Sequence, residues 1–383
     1  MKTDLFSIPT PFTPPTTEED SLSVLRLIRS RRVGPATFKR LIHEQGSARA
    51  ALAALPEVAR AAGVSDYELC PEGVAMAELR AGQRAGARLL CYGGPGYPTE
   101  LLDLPDPPAV LWALGDLRLL ARPRLALVGA RNASSLGGRM TRALARDLGK
   151  AGFVIVSGLA RGIDAAAHEA ALEQGTIGVQ AGGIDVIYPL ENAGLAEKMA
   201  TQGLRLAENP PGTQPQARHF PQRNRIISGL AQAVIVVEAA LRSGSLITAR
   251  TALEQGREVM AVPGHPFDGR AGGCNALIRD GAQLIRGAED VLALLEGPHL
   301  DQPAEPENAP EDELAPRPVA SGAPAAERLL ALLGPSPTPE DQILRDLGLS
   351  PAAFAQELLA LELQGAVQRH PGGLLSRAEP VAG

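Results

Sequence analysis

Seven short runs rich in Val, Ile and Leu alternate with segments of helical length across the middle of this chain, and most of the turns that leave them carry Gly, Ser and Arg. Strands separated by helices pair in parallel through right-handed crossovers, so the alternation predicts a doubly wound sheet. The flanks lack that alternation: helically spaced apolar residues come before it, and three helices with a short hairpin come after it. The predicted fold class is therefore α/β: an extended Rossmann-like doubly wound sheet, with an N-terminal helical (SAM/helix-hairpin-helix-like) domain and a C-terminal winged helix.

Residues 1–20 are rich in Pro and Thr and are expected to be a disordered tail. From 21 to 85 the spacing of Leu22, Leu25, Ile28, Leu41 and Ile42 is helical. The Val33-Gly34-Pro35-Ala36-Thr37 turn, followed by Lys39 and Arg40, has a helix-hairpin-helix shape; it fits a phosphate contact or a plain helical hairpin packed on itself. The sheet domain is placed at 86–293, with strands at 124–128, 153–156, 176–180, 204–207, 233–237, 258–262 and 282–285. A Pro, Glu, Ala and Asp-rich linker spans 294–322, and the winged helix occupies 323–383, with helices near 325–333, 339–346 and 351–365 and a two-stranded wing over 366–375.

Composition narrows the functional classes. Cys70, Cys91 and Cys274 form no CxxC pair, which excludes a zinc knuckle and a disulfide framework and fits a reducing compartment. No run approaches 18 apolar residues, so no membrane partner is expected and a cytoplasmic location is. Aromatics are only 3% of the chain, too few for a broad stacking platform. The net charge is −6, but residues 122–290 hold 19 basic and 15 acidic residues, whereas 294–319 hold seven acidic residues and one basic. A local positive field therefore permits nucleic-acid binding.

Ligands of doubly wound sheets bind at the carboxyl ends of the strands. There the first loop offers Gly129, for a sharp turn, and Arg131, for phosphate, ahead of a helix whose first N–H groups are expected to be open to an anion. The second, Ser157-Gly158-Leu159-Ala160-Arg161-Gly162-Ile163-Asp164, forms an anion nest, with Asp164 as the N-cap of the next helix and His168 as a partly buried helix residue. The densest cluster is Arg218-His219-Phe220-Pro221-Gln222-Arg223-Asn224-Arg225. Its arginines have no nearby acid to pair with, Glu208 being ten residues back, so Arg223, Asn224 and Arg225 are expected on the first helical turn facing phosphates. Phe220 offers a face to one base. Ser243 and Thr248 repeat the hydroxylated helix start, Glu238 is placed as a hydrogen-bond acceptor, and Asn275 as a helix-start polar group. Neither GxGxxG nor GxxxxGK[ST] is present, which disfavours dinucleotide binding and excludes a P-loop. No histidine pair has metal spacing, so neither cofactor nor metal is implied.

The ordered series Val128-Gly129-Ala130-Arg131, Ser157 to His168, Gly183-Ile184-Asp185-Val186-Ile187-Tyr188-Pro189, His219 to Ile227, Ser243 to Ala249 and Ala261-Val262-Pro263-Gly264 resembles the DNA-processing protein A family (DprA, also called Smf) over about 86–293. The Tyr97-Pro98 and Pro107 to Trp112 stretches resemble the segment that leads into that domain. The resemblance implies a non-enzymatic binder of single-stranded DNA that dimerises through the Rossmann-like domain and loads the recombinase RecA onto incoming strands in natural transformation and recombination. It carries DNA contacts onto Gly129, Arg131, Ser157, Gly158, Gly162, Arg223, Asn224, Arg225, Ser243 and Thr248; Arg161 and Phe220 join them from the residue reading. The chain departs from the family at Leu190-Glu191, where relatives carry a basic residue, and at Leu206-Ala207-Glu208, where a Ser-Glu pair is usual.

Two other classes remain open from the residues. A nucleotide-processing Rossmann-like hydrolase would use Glu238 as its base, but the order PGGxGTxxE is missing. An interaction scaffold without DNA affinity would have no use for Arg131 and the Arg223 cluster. The last helix, 351–365, carries Glu357 and Glu362 and no Lys or Arg, so the winged helix is expected to contact protein, with any duplex contact made by Arg369 and Arg377.

Overall fold

The computed structural model of the chain describes residues 11–296, 324–333, 337–370 and 373–378. Most of the expected linker and the first half of the expected tail lie outside the described residues. Residues 11–20, however, are built into the fold. Thr17 and Asp20 form a capping box that starts helix α1 (Glu18–Arg29), and Phe12 packs edge-on against Tyr92 at 5.7 Å. The short polar stretch holds because one aromatic and one cap anchor it, features that composition alone conceals.

Helices α2 (Pro35–Gln45), α3 (Ala48–Ala61) and α4 (Glu72–Arg84) complete the N-terminal helical region. Gly34 and Pro35 start α2 at its N-cap and N1 positions. Lys39 in this hairpin turns inward, donating to the carbonyls of Leu102 (3.1 Å) and Leu104 (2.7 Å), so that cation fastens the hairpin to the following segment. Helix α4 lies on strand β1 (Arg88–Cys91) and strand β2 (Val110–Gly115). Trp112 is fully buried there: a Cβ at Gly82 would come within 2.0 Å of its ring. Its indole N–H donates to Glu78 at 3.3 Å, and Glu78 also takes both arms of Arg29.

The chain then alternates strand and helix: β3 (Arg124–Val128), α5 (Ser135–Lys150), β4 (Val154–Ser157), α6 (Ile163–Ala171), β5 (Thr176–Gly183), α7 (Ala193–Gln202), β6 (Leu204–Asn209), α8 (His219–Leu230), β7 (Ala233–Val236), α9 (Ser245–Glu254), β8 (Glu258–Ala261), α10 (Gly272–Arg279), β9 (Gln283–Leu284) and α11 (Ala288–Glu296). The nine strands form one sheet in the order β1-β2-β6-β5-β4-β3-β7-β8-β9. From β6 to β9 the pairing is parallel, while β1 and β2 are antiparallel additions beside β6. Those two strands were not among the expected seven, although the apolar run 109–114 is their imprint.

Helices on both faces explain why the central strands are apolar on both sides. In β3, Leu125 and Leu127 join the core with Leu144 and Leu148 of α5. Ala126 and Val128 face Ile226, Ile227 and Leu230 of α8. The order reverses at β3, since β4 pairs on one side and β7 on the other. That reversal opens a crevice at the strands' carboxyl ends.

The second unit is described by itself. Helices α12 (Ala325–Leu332), α13 (Glu340–Leu347) and α14 (Pro351–Leu363) surround a core of Leu329, Ile343, Phe354, Leu358 and Leu375. Its sheet has three strands rather than two, because β10 (Thr338–Pro339) pairs with β12 (Leu374–Arg377), which in turn pairs with β11 (Val367–His370). Arg369, one of the two residues expected to make any duplex contact, is paired with Glu340 (2.8 Å) and Glu362 (2.9 Å). Among the described residues, no helix is long and apolar enough to cross a membrane.

Candidate nucleic-acid interface

Two adjoining hollows lie along the carboxyl ends of the parallel strands. The larger, of about 590 Å³, runs from Gly129 and Arg131 past Phe220, Arg223 and Asn224 to Ser243 and Thr248. The smaller, of about 280 Å³, is lined by Gly158, Arg161, Gln180, Tyr188 and Leu190, and shares Arg131 and Phe220 with the first.

Loop one is held to the neighbouring strand end. Ala130 N–H donates to the Glu238 carbonyl at 2.7 Å, and a side chain at Gly129 would collide with Ile163. Ser134 caps α5 by accepting from Gly137 N–H, and the Glu238 carboxylate accepts from Ser134 N–H (3.1 Å) and Oγ–H (2.9 Å). A Cβ at Gly137 would sit 1.8 Å from Glu238 Oε2, so this carboxylate occupies the helix terminus. The expectation of open N–H groups there is thus corrected: the protein supplies its own anion. The same bonds commit the acid that the hydrolase reading takes as its base. Arg131, by contrast, is exposed, and its guanidinium stacks over the Phe220 ring at 4.9 Å.

Loop two is buttressed from beneath. Ser157 is fully buried and donates from Oγ to the Leu127 carbonyl at 2.6 Å, so its hydroxyl joins β4 to β3 and does not face the groove, contrary to expectation. Asp164 lies inside α6, where Gly162 is the N-cap, and it accepts from Gly158 N–H (3.0 Å) and Ala160 N–H (3.4 Å); it ties the loop instead of capping the helix. His168 is completely rather than partly buried. Thr176 Oγ–H donates to the Ile155 carbonyl, so His168 Nδ1–H donates to Thr176 and Nε2 accepts from Leu159 N–H. Burial holds this imidazole neutral, with its pKa lowered to about 3. The bond fixes Leu159 at φ 54, a conformation rare for a branched side chain. Gly162, at φ 74, admits no Cβ because the Ala130 carbonyl would lie 2.3 Å away. Arg161 is exposed and pairs with Glu191 at 3.1 Å, so the acid that follows Leu190 offsets the charge that this arginine was expected to supply.

Helix α8 sends Arg223, Asn224 and Arg225 in different directions. Arg223 is buried and donates to the carbonyls of Gly158 and Val179, with Nε on Asn224 Oδ1 at 3.1 Å. Burial lowers its pKa to about 10, opposed by the nearby Asp164 carboxylate, and the same desolvation raises that of Asp164. Arg225 lines neither hollow. It is buried in ion pairs with Glu208 (2.7 Å) and Asp106 (3.1 Å), which corrects the expectation that the arginines lack acidic partners. Burial raises the pKa of Glu208, with Arg225 acting in opposition. Asn224 does line the larger hollow, as do Ser243, whose Oγ lies 2.7 Å from Ser245 Oγ, and Thr248, which is otherwise buried. Asn275 clasps the Gly264 backbone through both its amide atoms.

Sequence reasoning missed four residues of the interface. Tyr188 is 53% exposed and lies 5.8 Å from Phe220, extending the Arg131 stack. Arg242 and Arg270 line the larger hollow, and both stood in loops already marked by the strand-end rule. The fourth, Gln180, is a polar residue within β5, which a reading centred on the strand-end loops passes over.

A family profile for DNA recombination-mediator protein A matches residues 88–296, one for a DprA-like N-terminal HHH domain matches 18–81, and one for a DprA winged helix domain matches 303–373. DNA processing protein DprA of Bacillus subtilis is 50% identical over 217 residues, which cover 56% of this chain and 73% of that protein. Protein Smf of Escherichia coli is 42% identical, over 72% of this chain and 74% of its own length. Among solved structures, DNA processing protein A of Streptococcus pneumoniae aligns with a TM-score of 0.59 at 36% identity, over 72% of this chain and 96% of that one. DNA processing protein A of Helicobacter pylori, a structure described for its single-stranded DNA binding mode, aligns with a TM-score of 0.51 at 33% identity, over 55% and 95%. With its sheet domain, helical domain and winged helix all matched in order, the chain belongs to the DNA recombination-mediator protein A family, the DprA or Smf proteins.

Proposed function

We propose that this protein binds single-stranded DNA along the groove at the carboxyl ends of its parallel strands and delivers it to the recombinase RecA without chemical change to the strand. The observation that carries the reading is the exposed stack of Arg131, Phe220 and Tyr188, which offers a phosphate-seeking cation and two ring faces at one place. Arg242 continues the positive track along the larger hollow, and Arg270 stands there paired with Glu238 at 4.0 Å. Stacking accepts any base, so the reading implies little sequence preference and strong salt dependence. Its family relatives, the Helicobacter pylori protein above all, support the strand as ligand. Family membership likewise supports action as a cytoplasmic homodimer in natural transformation and recombination. The commitment of Glu238 to the α5 terminus favours a binding protein over a hydrolase.

The test is a fluorescence-anisotropy titration of labelled oligo-dT at several salt concentrations, followed by RecA assembly on the bound strand. Arg131→Ala is expected to weaken binding and to flatten the slope of log K against log salt by about 0.7, the share of one phosphate contact on a single strand. Failure of the wild type to bind at low salt would overturn the reading, and DNA binding without any gain in RecA assembly would overturn the delivery step.

A further inference from the structure

Gln180, which lines the smaller hollow, carries a buried polar atom without a hydrogen-bond partner among the described residues. Gln180 is the last residue of β5 to pair in register with β6 before the sheet shifts at Gly183, and it is 7% exposed. Its Nε2 donates to the Val186 carbonyl at 2.9 Å, which fixes the amide orientation: turned over, Oε1 would oppose that carbonyl. Oε1 is left buried with no hydrogen-bond partner, an arrangement that folded proteins rarely leave unfilled. The walls around it are flat or apolar, from Phe220, Tyr188 and Leu190, and Arg131 stands at the junction with the larger hollow. Tyr188 and Leu190, 53% and 80% exposed, form the outer rim that an entering group displaces.

A ring sandwiched by such walls must present an N–H to satisfy Oε1. We infer that Gln180 accepts a hydrogen bond from the Watson–Crick edge of one unpaired base seated in this hollow, so that the protein senses strandedness through a single amide oxygen. The inference rests on the single-stranded DNA reading given above. Every natural base carries an N–H on that edge: N3–H in thymine, N1–H in guanine, and the amino groups of adenine and cytosine. In a duplex the ring N–H and one N–H of each amino group are bonded to the opposite base, which closes that edge to a further acceptor. An acceptor at this position therefore admits all four bases when unpaired and is left unsatisfied by a paired one, which favours single strands without reading sequence.

The experiment compares oligo-dT with the same oligomer methylated at N3 of every thymine, using the full-length protein and anisotropy. The methylated strand keeps its charge and ring faces but loses the donor. Wild type is expected to bind it about tenfold more weakly, the effect of leaving one buried acceptor unmatched. Gln180→Met, similar in length but without the acceptor, is expected to bind both strands equally. Equal affinities in the wild type overturn the inference while leaving the single-stranded DNA reading intact. A tenfold preference that persists in Gln180→Met also overturns it, because shape alone would then exclude the methyl group. Gln180→Leu, which also lacks the acceptor, takes the same place if Gln180→Met fails to fold, and failure of the wild type to bind either strand sinks the functional reading itself.

Discussion

Replacing Arg223 with Met separates a strut from a ligand. The substitution preserves most of the side-chain length while deleting the guanidinium that bonds the Gly158 and Val179 carbonyls. Two buried carbonyls lose a partner, at about 1–3 kcal/mol each, and the buried Asp164 carboxylate loses the positive charge beside it. Removing one member of a buried charged pair costs about 3–5 kcal/mol, and these effects overlap, so a net loss of about 4 kcal/mol is expected. For a domain of this size that lowers the thermal midpoint by on the order of 10 °C. The assay is thermal unfolding by circular dichroism, run beside DNA binding, with Arg131→Ala as the reference. Arg131 is exposed, so its removal should leave stability within about 0.5 kcal/mol while weakening DNA binding. Gly158→Ala should resemble Arg223→Met, since its new Cβ would lie 2.1 Å from Arg223 Nη1. An Arg223→Met protein with the wild-type midpoint and lost DNA affinity would refute the strut and make this arginine a direct ligand.

Phe220→Leu should cost about 1–3 kcal/mol of DNA affinity, equally for oligo-dT and oligo-dA; a loss confined to one base would contradict simple stacking. His168 must stay neutral to keep its bond to Leu159: its folded pKa of about 3 lies below the ordinary imidazole value of 6.5, so its contribution is complete above pH 6.5 and is lost as pH falls toward 3. Because the unfolded state then holds one more proton, urea titrations should show stability falling by about 1.4 kcal/mol per pH unit from this group. His168→Gln should flatten that slope, and an unchanged slope would exclude the histidine as its source. Asp164 and Glu208, with raised pKa values, act in the opposite sense, their contributions being lost as pH rises, so the difference between the two proteins isolates the histidine. Deletion of residues 323–383 should leave single-stranded DNA binding in place, as anisotropy on the shortened chain would show; abolished binding would return the winged helix to the DNA site.

The strand-end loops were legible because their cause is local: Gly where backbones approach, Ser at helix starts, apolar runs in buried strands. The directions of the side chains were not. Arg223 and Arg225 are two residues apart on one helix, yet one lies beneath the groove and the other lies against Asp106 and Glu208. Which way each points depends on how α8 is rotated upon the sheet, a tertiary quantity set by Ile226, Ile227 and Leu230. The same holds for Glu238, whose terminal partner Ser134 is far away in the chain and adjacent only after β3 and β7 pair. Tyr188 acquires its role from Phe220, and no spacing rule joins those two positions. Residues that act through distant partners were therefore misread, while the exposed place of Arg131 at the groove was legible from its motif alone.

The buttresses beneath loop two also bear on how binding energy is partitioned. Asp164, His168 and Arg223 hold Gly158, Leu159 and Ala160 in place before any ligand arrives, so docking of the proposed single strand there requires little freezing of the protein. A cast mould of this kind meets its ligand at a rate set by charge and diffusion, and differences among its variants appear mainly in how long the complex survives. Damage to the buttresses loosens the mould, so that each encounter must first solidify it, and association slows even though no atom that touches the strand has changed.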